Sequence, residues 1–197
     1  MKKLTFLLIF AFLAIALANC TQTSKAETST TSTTLLSDEA LIEKGKYLST
    51  VIGCDHCHTP KKMTPQGPVP DLDRWMMGYP AGDPLPEIDT SEITPGKWAL
   101  FNGDLTAAVG PWGISYSANL TSDETGVGSW TFEQFKRAMV EGKYRGLENS
   151  RPLMPPMPWQ SYRNMKDEDL KAIFAYLQSV KPIANVVPSY VPPNEIK

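Results

Sequence analysis

The pentapeptide Cys54-Asp55-His56-Cys57-His58 limits what this chain can become more than any other stretch. Two thiols three positions apart, followed directly by an imidazole, form the C-x-x-C-H pattern of covalent c-type haem attachment. That spacing lets two sulfurs add to the two vinyl groups of one porphyrin, and the next residue, His58, gives a ring nitrogen to the iron. Two other chemistries use a C-x-x-C pair, a redox disulfide and half of a zinc site. A thioredoxin-type pair follows a strand in a βαβ pattern, and none surrounds Cys54. A local zinc site would have to use Cys54, His56, Cys57 and His58 together, which crowd too closely for a tetrahedron. Haem is the preferred reading, with the other two as alternatives. His56 lies outside the ligand position and reads as a solvent-facing residue.

The chain has 197 residues, enough for one domain with its own core. A formal charge of -2 shows no basic excess of the kind nucleic-acid binding requires. Lys2 and Lys3 precede an apolar run over residues 4–18, which reads as a secretory signal over residues 1–19. Leu17-Ala18-Asn19-Cys20 resembles a bacterial lipobox, with Asn19 where Gly or Ala is usual; Ala16-Leu17-Ala18 also suits ordinary signal cleavage. The chain holds three cysteines. Two go to haem, and lipidation gives Cys20 a role it otherwise lacks. Residues 20–35 then form a lipid anchor and a Thr/Ser-rich flexible tether. The expected location is the periplasmic side of a Gram-negative membrane. Thr21, where an acidic residue would favour inner-membrane retention, points to the outer membrane.

Three helices follow from apolar periodicity. Ser37 is a suitable N-cap, and Leu41, Gly45, Leu48 and Ile52 share one face of a helix that ends near Gly53. Thr131 and Gln134 form a capping box ahead of Phe132, Phe135 and Met139, with Gly142 as the stop. Asp167, Glu168 and Asp169 suit a helix N-terminus, and Leu170, Ile173, Phe174 and Leu177 make its stripe up to Pro182.

Eight of the seventeen prolines fall between Pro60 and Pro95, where regular helix is disfavoured. Asn102-Gly103 separates Trp98-Ala99-Leu100-Phe101 from Leu105-Thr106-Ala107-Ala108-Val109, which predicts a short β-hairpin; the alternative is an irregular loop around the haem. The expected fold class is all-α, with this long Pro-rich segment as an insertion.

His58 supplies one axial ligand. With two histidines in the chain, a thioether is the natural second ligand. Met139 and Met165 read as packing residues, and Met63, Met76 and Met77 as gap-fillers in the Pro-rich region. Met154 and Met157 lie in Arg151-Pro152-Leu153-Met154-Pro155-Pro156-Met157-Pro158-Trp159, a loop stiffened by proline and able to hold a weak sulfur ligand. Met157 is the first choice and Met154 the second.

The helix into Cys54–His58, the Pro-bracketed methionine loop and the final Ala172-Ile173-Phe174-Ala175-Tyr176-Leu177 helix resemble a class I cytochrome c domain over residues 36–188, with residues 189–197 as a C-terminal tail. More narrowly, Gly110-Pro111-Trp112-Gly113, Asn119-Leu120-Thr121-Ser122-Asp123, Thr125-Gly126-Val127-Gly128-Ser129-Trp130-Thr131 and Pro155-Pro156-Met157-Pro158-Trp159 resemble the cytochrome c subunits and lipoproteins that accompany alcohol, aldehyde and gluconate dehydrogenases. The resemblance implies Met157 as the ligand, Pro111 and Trp130 beside the haem, and Tyr176 against Gly45. Many relatives carry two or three haem domains, whereas this sequence has one C-x-x-C-H.

The implied function is that of an exported monohaem electron carrier with no substrate of its own. Its partners would be redox proteins, a dehydrogenase donor or a terminal oxidase acceptor. The alternatives are an electron-accepting subunit of a dehydrogenase complex, and a haem enzyme or sensor with a labile sixth ligand.

Overall fold

The computed structural model describes residues 37–196. The signal segment, Cys20 and the tether lie outside the described residues. Helix α1 spans Asp38–Val51, and Ser37 caps it by accepting from the Ala40 N–H at 3.3 Å. Gly53, at φ 76°, turns the chain into the short helix α2, Cys54–His58. Helix α3, Phe132–Glu141, begins with the expected reciprocal Thr131–Gln134 capping box and ends at Gly142, φ 67°. After α4, Trp159–Tyr162, comes α5, Asp167–Ser179, with three acidic residues in its first turn.

Helices α1 and α5 cross where Gly45 lies against the Ala172 carbonyl and the Tyr176 Cβ, as the sequence resemblance implies. Leu170 and Ile173 are fully buried on the same side of α5, with Leu177, Met76, Val127 and Phe135 almost so. They form the main core with Met139, Tyr176 and Val180. Each fully buried aliphatic side chain contributes about 1.5–3 kcal/mol, so this stripe sets the position of α5.

The all-α expectation needs correction. Among the described residues five strands form two small antiparallel sheets, β1 (Lys61–Thr64) with β2 (Gly67–Pro70), and β3 (Leu100–Phe101), β4 (Ala107–Gly110) and β5 (Gly113–Tyr116) in that order. Proline excludes helix here, and short runs such as Ile114-Ser115-Tyr116 suit the pleat instead. The hairpin at Asn102 exists, with Leu100 opposite Val109 and Phe101 opposite Ala108. Its connection is longer than the two-residue turn that Asn-Gly suggests. Asn102 Oδ1 accepts from the Ala107 N–H at 2.9 Å, and Asp104 Oδ1 accepts from the Thr106 N–H at 3.0 Å, so the side chains close a five-residue loop.

A second cluster, Ile93, Val109 and Ile114, packs under the three-stranded sheet with Leu85, Ile88 and Tyr116. Val191 and Ile196 join it, and Val191 pairs with Ile114. Residues 189–196, expected as a tail, therefore close one edge of the insertion. Among the described residues no helix is long and apolar enough to cross a membrane.

Candidate haem site

One turn of helix carries Cys54, Cys57 and His58, and neighbouring segments fix its exit. The Gly78 N–H donates to the His58 carbonyl at 2.8 Å, and the Met76 N–H donates to Thr59 Oγ1 at 3.0 Å. Lys61 Nζ donates to the His56 carbonyl and, at 2.6 Å, to that of Thr59. Residues 76–79 run beside residues 117–120, linked by Tyr79 N–H to Ser117 O at 2.9 Å and Leu120 N–H to Met76 O at 2.8 Å. A Cβ on Gly78 would lie 2.3 Å from the Ser117 oxygen, so only glycine allows this approach.

That pairing places the Ala118 carbonyl 2.7 Å from His58 Nδ1. Nδ1 donates to it, which fixes the tautomer and leaves Nε2 as the free lone pair for a metal. Asn119 holds the following turn. Its Oδ1 accepts from the Thr121 N–H at 2.9 Å, and its Nδ2 donates to Ile183 O at 2.8 Å. The Asn119-Leu120-Thr121 stretch thus anchors the carbonyl that orients His58, a link that sequence reasoning missed.

The methionine loop lies across the same core. Met157 packs against the main cluster together with Cys54, Trp130, Tyr162 and Trp75; Met154 is not among the side chains packed there. The Leu153 N–H donates to the Gly142 carbonyl at 2.6 Å, and a Cβ on Gly142 would strike the Trp159 ring. Ser115 Oγ reaches the Pro155 carbonyl at 2.6 Å from β5. Trp130 is half-buried against the main cluster, whereas Pro111 is exposed at the tip of the β4–β5 turn. His56 is exposed, as expected.

Electrostatics separates the possible uses of the two thiols. Burial, followed by the neighbouring Asp55 carboxylate, pushes Cys54 up to about 12, and burial also raises Cys57. A reactive redox thiolate needs the opposite shift. Among the described residues no group of three or more His, Cys, Asp or Glu side chains could hold a metal ion. Burial pulls His58 below the usual imidazole range, although its bond to Ala118 acts the other way, and a neutral imidazole is the form that ligates. Both cysteines are free, and Ser49 Oγ and Asp55 Oδ1 beside them are buried without a hydrogen-bond partner. The donor set, two neutral thiols and one oriented imidazole on a single turn, fits a covalently attached haem.

Comparison with known proteins agrees. The family model for cytochrome c matches residues 42–181. A nicotinate dehydrogenase subunit of Pseudomonas putida is 45% identical over 80 residues, 40% of this chain and 6% of that protein. The gluconate 2-dehydrogenase cytochrome c subunit of Pantoea cypripedii is 30% identical over 149 residues, 75% of this chain and 25% of the relative. The cytochrome c subunit of the quinone alcohol dehydrogenase of Gluconobacter oxydans is 28% identical over 149 residues, 75% of this chain and 23% of the relative. The chain therefore spans a quarter or less of the length of these relatives.

Proposed function

This chain belongs to the cytochrome c family and carries covalently attached haem c, and from that premise we infer that it is an exported monohaem carrier of single electrons between redox proteins. A c-type haem supplies a one-electron iron couple. The chain's own residues do the rest. Cys54 and Cys57 would hold the group, and His58 would ligate through Nε2, with its tautomer set by the bond to Ala118. Met157 would supply a second ligand to the iron, and a thioether there would favour reduced iron and so raise the potential. Trp130 belongs to the surroundings of the haem through its packing on the cluster that also takes Met157 and Cys54. Pro111 is assigned there by the family pattern alone.

The observation that carries this reading is the 2.7 Å contact between His58 Nδ1 and Ala118 O beside two free thiols. Its relatives include cytochrome c subunits of gluconate and alcohol dehydrogenases, which favours a dehydrogenase as electron donor. On this reading the chain either shuttles electrons from such a complex or serves as its haem subunit, and a terminal oxidase is a suitable acceptor. The signal-like run, Cys20 and the polar segment after it support a lipid-anchored protein on the periplasmic side of a Gram-negative membrane, with Thr21 favouring the outer one.

A potentiometric titration tests the carrier role. One reversible one-electron wave per chain, with the reduced protein slow to bind carbon monoxide, is the expected result. Rapid carbon monoxide binding by unmodified protein would instead establish an open iron and a ligand-binding or catalytic haem.

A further inference from the structure

The methionine loop has a chemical peculiarity. Proline stiffens it but removes its donors, since Pro152, Pro155, Pro156 and Pro158 have no N–H. The Met157 N–H is used within the loop, on Met154 O at 3.3 Å. Among the described residues, one hydrogen bond reaches residues 154–157 from another element. It comes from the Ser115 hydroxyl on β5, 2.6 Å from the Pro155 carbonyl.

The sheet fixes Ser115 in place. It pairs with Ala108 on β4, which in turn pairs with Phe101 on β3, so the three side chains share one sheet face. That face meets the methionine loop. Trp112 Nε1 lies 3.3 Å from Ser115 Oγ and donates to it. A hydroxyl that accepts the indole N–H directs its own proton elsewhere. Two carbonyls are in reach, Pro155 at 2.6 Å and Ala108 at 3.4 Å, and the shorter contact takes it.

We propose that Ser115 is a positioning residue for the axial methionine: its hydroxyl, oriented by the Trp112 indole, holds the Pro155 carbonyl and thereby keeps Met157 seated on the iron. The proposal rests on Met157 as ligand. The insertion that carries Ser115 then acts as a strap on the ligand loop. A thioether bonds ferric iron weakly, so the ligated fraction depends on how narrowly the loop confines its sulfur. Loss of one neutral hydrogen bond shifts such an equilibrium by roughly threefold to tenfold.

Imidazole competes with methionine for ferric haem and is the probe. In intact ferric protein, Ser115→Ala should bind imidazole roughly threefold to tenfold more tightly, with the sulfur–iron near-infrared band titrated away at correspondingly lower imidazole. Ser115→Thr keeps the hydroxyl and should restore wild-type affinity. Trp112→Phe, which removes the orienting donor together with the outer ring packed over Gly110, should fall between. Ile93→Val, in the apolar cluster of the same insertion, should lower the unfolding midpoint and leave imidazole affinity unchanged. If Ser115→Ala and Trp112→Phe both match wild type while Met157→Ala abolishes the band, the strap is refuted and the ligand assignment stands. If Met157→Ala keeps the band, the ligand assignment itself fails. Should Ser115→Ala not fold, Trp112→Phe and Ser115→Thr decide between the same outcomes.

Discussion

Gly45 and Ala172 meet backbone to backbone: a Cβ on Gly45 would sit 1.9 Å from the Ala172 carbonyl oxygen and 2.8 Å from the Tyr176 Cβ. Two effects of Gly45→Ala therefore oppose each other. Helix propensity alone favours alanine by about 1 kcal/mol. Overpacking costs about 1–3 kcal/mol where flexible side chains can yield, and here the struck atoms are backbone. The contact wins, so Gly45→Ala should lower the urea midpoint of the haem-loaded protein. An unchanged or raised midpoint would mean that α1 and α5 separate without penalty.

Trp75 Nε1 donates to Tyr176 Oη at 3.0 Å and joins the loop after α2 to the last helix. Tyr176 is 8% exposed. Tyr176→Phe removes the acceptor, and because Trp75 is only partly buried the cost should be that of one ordinary hydrogen bond, about 0.5–1.5 kcal/mol. A double-mutant cycle with Trp75→Phe should give a coupling of about 0.5–1.5 kcal/mol in chemical denaturation. Strict additivity would assign the two residues to independent packing.

Asp71 contributes stability that depends on pH. Its side chain is nearly buried, and burial acts to raise its pKa. The hydrogen bonds from Lys62 Nζ at 2.8 Å, from Arg74 Nε at 2.7 Å and from the Asp73 N–H outweigh this and leave it below the ordinary value. A carboxyl depressed in the folded state stabilises fully above its unfolded pKa of about 4 and loses that contribution as pH falls through the folded value. Wild type should therefore exceed Asp71→Asn in stability at neutral pH, and the gap should close as pH drops below about 4. Denaturation curves across that range measure it. A gap independent of pH would show that the carboxylate charge plays no part.

The helices were legible because their signals are local. Ser37, the Thr131–Gln134 box, Gly142 and the Leu170–Leu177 stripe each lie within a turn or two of the boundary they set. The haem motif was legible because its chemistry forces a fixed spacing. The sheets were obscured by strands of four residues or fewer, whose register depends on distant partners such as Ile114 and Val191. The orientation of His58 was hidden for another reason. Its partner is the backbone carbonyl of Ala118, and any residue carries a carbonyl. Ser115 and Asn119 act through Pro155 and Ala118 in the same indirect way, so their side chains reveal the role only once the fold brings them there.

Cys20 should carry lipid. Leu17-Ala18-Asn19-Cys20 resembles a lipobox and precedes a Thr/Ser-rich polar segment. Fractionation of cells that express Cys20→Ala tests the anchor. The variant should leave the membrane fraction and appear as soluble exported protein with its haem. Retention in the membrane at the wild-type level would rule out lipidation of Cys20 as the attachment.

Met157 should be the second axial ligand. It packs on the cluster that includes Cys54, and Ser115 holds its loop two residues upstream. Oxidised wild type should then show the weak near-infrared band of a sulfur–iron bond. Met157→Ala should abolish that band, lower the potential because the ligand that favours reduced iron is gone, and open the iron to carbon monoxide. Met154→Ala should keep the band. Its side chain is only partly buried, so its stability cost should lie at or below the lower end of the about 2–5 kcal/mol seen for buried methionine truncation. The two variants separate ligation from packing, since each removes one thioether from the same loop. If Met154→Ala loses the band and Met157→Ala keeps it, the sulfur donor is Met154, and the role of Ser115 must be re-derived from its distance to that residue.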